Sequence, residues 1–205
     1  MTSRTDFNES WLSEMPMGVG KLGLNLFDTI KYNITDFSNY GGKVETIGNG
    51  YFKMSGTQVA YFWHIGQDEQ IDIAMELTVK PQALIVNGVG KSSSSNIHAS
   101  DLYHVILTNT SKSIRLFSDD VLSDQGFSLW KRLLNLGHTI SVYDKETPSA
   151  GLQPITSQLE LEKFYQKDNA EYRRYQYVLS ESFEMLAESR SYFNTYRMRT
   201  LAGLL

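Results

Sequence analysis

The stretch from Gln70 to Asp144 constrains the fold of this chain more than any other part of the sequence. Ile71 to Lys80 alternates apolar and polar residues over ten positions, which predicts a strand with one buried face. Residues 83–86 predict a short second strand, and residues 87–96, rich in glycine and serine, predict a loop. A helix, a strand, a second helix and a final strand are predicted to follow. This order of elements is typical of a ligand-binding unit of helices and strands.

The flanking segments complete the predicted architecture. Residues 44–47, 50–54 and 58–65 are rich in aromatic and β-branched residues and predict antiparallel strands. Residues 24–37 fit a helix or a strand, and we expect a helix followed by a strand. The sequence therefore predicts an α+β fold with a central, mostly antiparallel mixed sheet flanked by helices.

A change in character after Pro148 predicts a domain of residues 1–148 and a helical C-terminal appendage of residues 149–205. Apolar residues recur in the appendage at helical spacings, so we expect a helix with an apolar stripe that is covered by its own domain or by a partner. The stripe contains Tyr172, Tyr175, Leu179, Phe183 and Leu186.

Composition excludes several classes of protein. The 205 residues include no cysteine, so disulfides, thiolate metal sites and cysteine nucleophiles are excluded. A net charge of −4 gives no general attraction to phosphate backbones, so nucleic acid is not a favoured partner. No apolar run is long enough to span a bilayer, and we expect a cytoplasmic protein without a membrane partner.

The predicted loop is the first candidate site. A loop that leads from a strand into a helix offers backbone N–H groups and a helix dipole to an anion, which favours a phosphate-bearing ligand. The alternative is a solvated surface loop whose glycines only turn the chain. The candidate phosphate-binding residues are Gly88, Val89, Gly90, Lys91, Ser92, Ser93 and Asn96.

The candidate acid–base groups lie on predicted strands and helices. Glu76 occupies the polar face of the strand before the loop and could accept a proton from an attacking amine, or it could be an ordinary solvated charge. Tyr103 and Tyr143 could donate a proton or belong to the core. His98 and His104 are six residues apart on one helix and face different sides, so we predict no metal site.

The order of elements from Val44 to Asp144 resembles the GNAT superfamily of acyltransferases. The resemblance implies an N-acyltransferase that uses acetyl coenzyme A or another acyl coenzyme A, binds its pyrophosphate at the predicted loop, and acylates an amine of a protein, small molecule or base. It also assigns Glu76 and Tyr143 as catalytic candidates. Trp130 stands where the family carries a tyrosine on the helix that ends in a glycine.

A non-catalytic alternative remains open. The aromatic stripe of the appendage and the presence of Trp130 also favour an interaction or structural protein that binds a partner, or itself, through its C-terminal helix. The compact, cysteine-free chain resembles bacteriophage proteins in general style. A viral origin would place the protein in the cytoplasm of the host.

Overall fold

The computed structural model describes residues 25–111, 113–165 and 173–180. Within these ranges the chain has an α+β fold with four α-helices and nine strands, and the strand pairing is mostly antiparallel, as the sequence predicts. No helix in the described ranges is long and apolar enough to cross a membrane.

The described residues form two compact units. The first contains those up to Thr110 together with Phe117–Asp119, and the second contains the rest. The predicted boundary between residues 148 and 149 concerns a different division and stays a prediction.

The first unit is a five-stranded antiparallel meander with two helices. Each strand pairs with the next in chain order, which confirms the predicted strands at residues 44–65 and the predicted bounds of Ile71–Lys80. The elements are α1 (Leu26–Asn39), β1 (Val44–Gly48), β2 (Tyr51–Ser55), β3 (Val59–Ile65), β4 (Ile71–Lys80), β5 (Ala83–Lys91) and α2 (Ala99–Thr108).

Helix α1 covers one face of this sheet. It begins at Asn25, whose side-chain oxygen accepts a hydrogen bond from the backbone N–H of Asp28 at 2.9 Å and satisfies one of the donors that a helix start leaves unpaired. Its buried Ile30 and Ile34 pack against aromatic residues of β3. The expectation that a strand follows the helix within residues 24–37 is wrong, because burial of this apolar stripe keeps the segment helical to Asn39.

The opposite face of the sheet is also buried. Phe62 of β3 and Met75 and Leu77 of β4 alternate with the residues under α1 and are at most 2% exposed. Helix α2 contacts β3 and β4 and buries Leu102 and Ile106. Two covered faces explain why β4 is buried at five successive positions, although its sequence alternates.

The second unit is built around strand β7. The elements are α3 (Asp124–Asn135), β7 (Thr139–Asp144), a single 3-10 turn (Pro148–Ala150), β8 (Leu152–Ile155), α4 (Gln158–Phe164) and β9 (Tyr175–Ser180), while β6 (Arg115–Phe117) contributes residues to both units. Strand β7 pairs antiparallel with β8 on one side and with β9 on the other. Ser123 caps α3, and Gly137 follows it with φ +84°, as the sequence predicts.

The prediction of a continuous C-terminal helix is wrong for residues 175–180, which form β9. Tyr175, Tyr177 and Leu179 are spaced by two, as expected for one face of a strand, and β9 pairs with β7 along its whole length. This pairing completes the hydrogen bonds along one edge of β7. Leu179 is fully buried in the second unit. Tyr172, Phe183 and Leu186, the other residues of the predicted stripe, lie outside the described residues.

Candidate functional site

The glycines of the predicted phosphate loop lie in strand β5 and pack beneath α1, so the prediction that they form a loop is wrong. A Cβ atom at Gly90 would lie 2.6 Å from the Cα atom of Phe27, and one at Gly88 would lie 3.0 Å from the side chain of Leu26. Helix α1 can therefore approach β5 only where the strand lacks side chains. Val89 lies between them in the strand, opposite Met75.

A β-bulge in β5 brings Asn87 to Glu76. Glu76 is in register with Gly88 and Leu77 with Val86, which leaves Asn87 as the extra residue of the bulge. The Asn87 side-chain amide donates to Oε1 of Glu76 at 3.3 Å, and its oxygen accepts from Thr78 Oγ1 at 2.9 Å. The irregularity thus re-aims one polar side chain toward the carboxylate on the neighbouring strand.

Two further groups complete the surroundings of Glu76, which is 8% exposed. Asn33 of α1 donates to Oε2 at 2.9 Å, and Tyr61 lies directly opposite Glu76 on β3. Burial raises the pKa of Tyr61 far above its ordinary range, and the charge of Glu76, a hydrogen bond to it and the charge of Asp36 add to this effect. Tyr61 therefore stays protonated, and the carboxylate is held among neutral donors. We name Asn33, Tyr61, Glu76, Thr78 and Asn87 the Glu76 network.

A second bulge separates Asp72 from the face that carries Glu76. Ile65 is in register with Ile71 and His64 with Ile73, so Asp72 is the extra residue of β4. Its carboxylate Oδ1 lies 2.8 Å from Nδ1 of His64, which alternates with the residues under α1 and belongs to the opposite face. Because a carboxylate only accepts, Nδ1 of His64 carries the proton of this hydrogen bond. Simple alternation would have placed Asp72 on the same face of β4 as Glu76.

The His64 ring is packed between strand β2 and the turn before it. Tyr51 meets it edge-on with ring centroids 4.7 Å apart, and a Cβ atom at Gly50 would lie 2.8 Å from Nε2. The side chains of His64 and Asp72 are each 15% exposed, and Nε2 has no hydrogen-bond partner among the described residues. Burial, followed by the charges of Asp101 and Asp72, raises the pKa of Tyr51 to about 12.

Residues 92–98, which we name the connection, join β5 to α2 and are tied to β4 and β5. Lys91 donates from Nζ to the carbonyl oxygens of Ser95 and Ile97 at 3.3 and 3.2 Å. Asp72 accepts from Ser95 Oγ at 3.3 Å through Oδ2, and its main-chain oxygen accepts from the N–H of Ser92 at 2.8 Å. Lys91, a predicted phosphate ligand, therefore stabilises the connection by donating hydrogen bonds to two main-chain carbonyl groups within it.

Two predicted ligands remain on the surface of the connection. Ser93 and Asn96 are exposed and lie just before the start of α2. At that start Asp101 accepts from the N–H of His98 at 3.0 Å, which places an acidic group in the first helical turn. Ser100, the second residue of α2, is 2% exposed and its hydroxyl has no hydrogen-bond partner in the described structure.

The tyrosines proposed as acids lie in different environments. Tyr103 of α2 is buried, and burial together with the charge of Asp119 raises its pKa above its ordinary range. Tyr143 lies in β7 of the second unit, opposite Leu152 of β8 and Gln176 of β9. It is half-buried.

Sequence reasoning missed His64, Asn33 and the role of Asn87. His64 stands in an aromatic strand, and only the bulge at Asp72 reveals its partner. Asn33 is 43 residues from Glu76 in the chain, so no local pattern links the two. The one available signal was the insertion of Asn87 into an apolar run.

Within the described ranges no group of three or more histidine, aspartate or glutamate side chains is arranged to hold a metal ion. Comparisons with protein families, with curated proteins and with solved structures found no match to this chain.

Proposed function

We propose that this protein is an acyl coenzyme A-dependent N-acyltransferase, with its acyl-transfer site at the Asn87 bulge. The observation that carries the proposal is the position of this bulge, directly beside a buried carboxylate and upstream of a connection that leads into a helix. From Asn87 to Ser92 the chain advances five residues, or about 16 Å in a strand. That length suits an extended pantetheine arm between a thioester and a pyrophosphate.

Several residues of the first unit could contact the pyrophosphate end of such a ligand. At the connection, exposed Ser93 and Asn96 and the start of α2 offer donors to a pyrophosphate. Lys91 adds positive charge there, although its ammonium group already holds two carbonyls. The negative charges of Asp72 and Asp101 repel an anion, so we expect the affinity for pyrophosphate to be lower than that of a dedicated phosphate-binding loop.

Acyl coenzyme A, when bound, supplies an acyl group activated as a thioester. The chain's own contribution begins at the bulge, where the ladder between β4 and β5 is interrupted and backbone groups are released from regular pairing. Glu76 would accept the proton of the attacking amine, directly or through water, after giving up one of its hydrogen bonds. Asn33, Asn87 and Tyr61 hold the carboxylate in one orientation for this step. Tyr143 lies in the second unit, and its assignment as a proton donor stays a prediction.

Calorimetric titration with acetyl coenzyme A tests the binding half of the proposal. We expect saturable heat at micromolar to submillimolar ligand, weakened by the paired change Ser93→Ala with Asn96→Ala. Ser113→Ala, at an exposed serine outside the connection, is the matched control and should leave the affinity unchanged. Absence of heat at millimolar ligand, with no change in the protein's melting temperature, would refute the proposal.

The catalytic half is tested by thiol release from acetyl coenzyme A in the presence of panels of amino acids, polyamines and peptides. Glu76→Gln should lower kcat by about 100-fold to 10,000-fold, the usual contribution of a general base, and leave the affinity for acetyl coenzyme A nearly unchanged. Glu69→Gln, in the exposed turn before β4, controls for the loss of one negative charge. A Glu76→Gln variant that is folded and fully active would exclude Glu76 as the base.

A further inference from the structure

We propose that the His64–Asp72 pair couples proton uptake to the binding of a pyrophosphate-bearing ligand at the connection, so that the site binds more tightly as the pH falls. This inference rests on the proposed function and deepens it, because it names the element that regulates the phosphate end of the site.

One carboxylate joins the imidazole to the connection. Asp72 bonds His64 through Oδ1 at 2.8 Å and Ser95 through Oδ2 at 3.3 Å, while its main-chain oxygen holds Ser92. The charge of Asp72 is therefore felt where the pyrophosphate is proposed to lie. Protonation of His64 at Nε2, the nitrogen without a partner in the described structure, would turn an anionic pair into a neutral one.

The other charged groups near the His64–Asp72 pair determine how strongly its protonation affects the binding of an anion. Besides Asp72, two further carboxylates lie near the His64–Asp72 pair. One is Asp68, whose Oδ1 approaches Gly66 from the same side as Asp72 Oδ2, and the other is Asp101 at the start of α2. Lys91 is the cation that contacts the connection. Tyr51 is neutral over the physiological range because burial, Asp101 and Asp72 raise its pKa to about 12.

Two imidazoles lie at the connection, His98 as its last residue and His64 through its hydrogen bond to Asp72. His64 is partly buried and bonded to Asp72, whereas His98 is exposed at the N-cap of α2 and donates its backbone N–H to Asp101. Imidazole is the side chain that changes charge between pH 5 and 8. A protonated His64 neutralises the negative charge of Asp72, which contacts the connection. The charge of the exposed His98 is instead screened by water and salt.

The expected coupling follows from linkage. If the ligand binds better when His64 is charged, then ligand binding must raise the affinity of His64 for its proton by the same factor. We expect the affinity at pH 6 to exceed that at pH 8 by about fivefold or more, at the lower end of typical coupling between sites. The effect should shrink at high salt.

The test uses dephospho-coenzyme A, which keeps the pyrophosphate but lacks the 3′-phosphate that itself titrates near neutral pH. Titrations of the full-length protein at pH 7, in two buffers of different ionisation enthalpy, measure the protons taken up on binding. Wild type should take up a fraction of a proton. His64→Asn, whose amide can still donate to Asp72 from the position of Nδ1, should take up almost none. Asp72→Asn should lose the uptake and bind at pH 8 about as tightly as wild type binds at pH 6.

His98→Asn is the matched control and should keep the uptake of wild type. Undiminished uptake in His64→Asn, uptake abolished in His98→Asn, or a wild-type affinity equal at pH 6 and pH 8 would overturn the inference and leave the proposed function standing. If wild type binds neither dephospho-coenzyme A nor acetyl coenzyme A between pH 6 and 8, both proposals fail together. Thermal melts of each variant establish that it is folded.

Discussion

The Cα atom of Phe27 lies so close to Gly90 that a Cβ atom added to the glycine would be 2.6 Å away. The contact joins the first turn of α1 to the end of β5, and the opposing atom belongs to a backbone that cannot rotate aside. A glycine that would otherwise be assigned to ligand binding thus serves helix packing.

We therefore expect Gly90→Ala to lower the free energy of unfolding by about 3 kcal/mol, near the upper end of the usual cost of overpacking. Urea denaturation measures the change. Gly126→Ala is the matched control, because that glycine lies in α3 and its added methyl group would meet the flexible end of the Leu122 side chain at 3.1 Å and Ser123 Oγ at an ordinary contact distance of 3.5 Å. The control should be neutral or slightly stabilising, since alanine favours helix. Equal stability of Gly90→Ala and wild type would contradict the packing argument.

Replacement of Glu76 by glutamine should destabilise the first unit. The new amide group would face the donors of Asn33 or Asn87, so at least one partly buried donor would lose its acceptor. We expect a loss of about 1 to 3 kcal/mol in the free energy of unfolding. Chemical denaturation of Glu76→Gln beside Glu69→Gln measures it, and a similar loss in both variants would show that the network adds nothing specific.

Truncation of Phe127 should be costly in the second unit. Its ring is 7% exposed, stacks on Tyr165 with centroids 3.9 Å apart and lies 6.1 Å from the ring of Tyr177. Phe127→Ala should cost about 3 to 5 kcal/mol, as in other buried aromatic truncations. Leu159→Ala is the control, since Leu159 is 74% exposed and should change stability by less than about 0.5 kcal/mol. A small effect at Phe127 would mean that the stack forms without stabilising the fold.

Asp144 should make the stability of the second unit sensitive to acid. Arg174 donates to both of its carboxylate oxygens, at 2.8 and 2.6 Å, and Thr147 donates to one of them at 2.6 Å. The hydrogen bonds from Arg174, followed by those from Thr147 and the backbone of Glu146, hold the pKa of Asp144 far below its ordinary range, although desolvation opposes them.

A depressed carboxyl pKa contributes stability that is fully present above the unfolded-state pKa, about 3.9, and is lost as the pH falls toward the folded-state value. Wild type should therefore lose stability steeply below pH 4. Asp144→Asn should be less stable at pH 7 and show a flatter pH profile in urea titrations from pH 7 to 2. Asp120→Asn, at an exposed partner of Lys145, should keep the wild-type slope. Parallel profiles for Asp144→Asn and wild type would exclude the ion pair as the source of the acid sensitivity.

Local patterns in the sequence determined much of the fold. Alternation over Ile71–Lys80 gave the bounds of β4, Ser123 and Gly137 marked the ends of α3, and turn residues separated the strands of the meander. These features depend on neighbours within a few residues, through side-chain periodicity, capping and backbone conformation. A reader of the sequence can therefore find them without knowing the fold.

Only the tertiary structure decided where the polar groups meet. Gly90 looks like part of a loop until α1 is seen above it, and residues 175–180 fit a helix until their pairing with β7 is known. The bulges at Asp72 and Asn87 add one residue to a strand, and one residue is enough to move a side chain to the other face or toward a new partner. Such shifts arise from pairing between strands and from contacts as distant as that of Asn33 with Glu76, which no local pattern in the chain encodes.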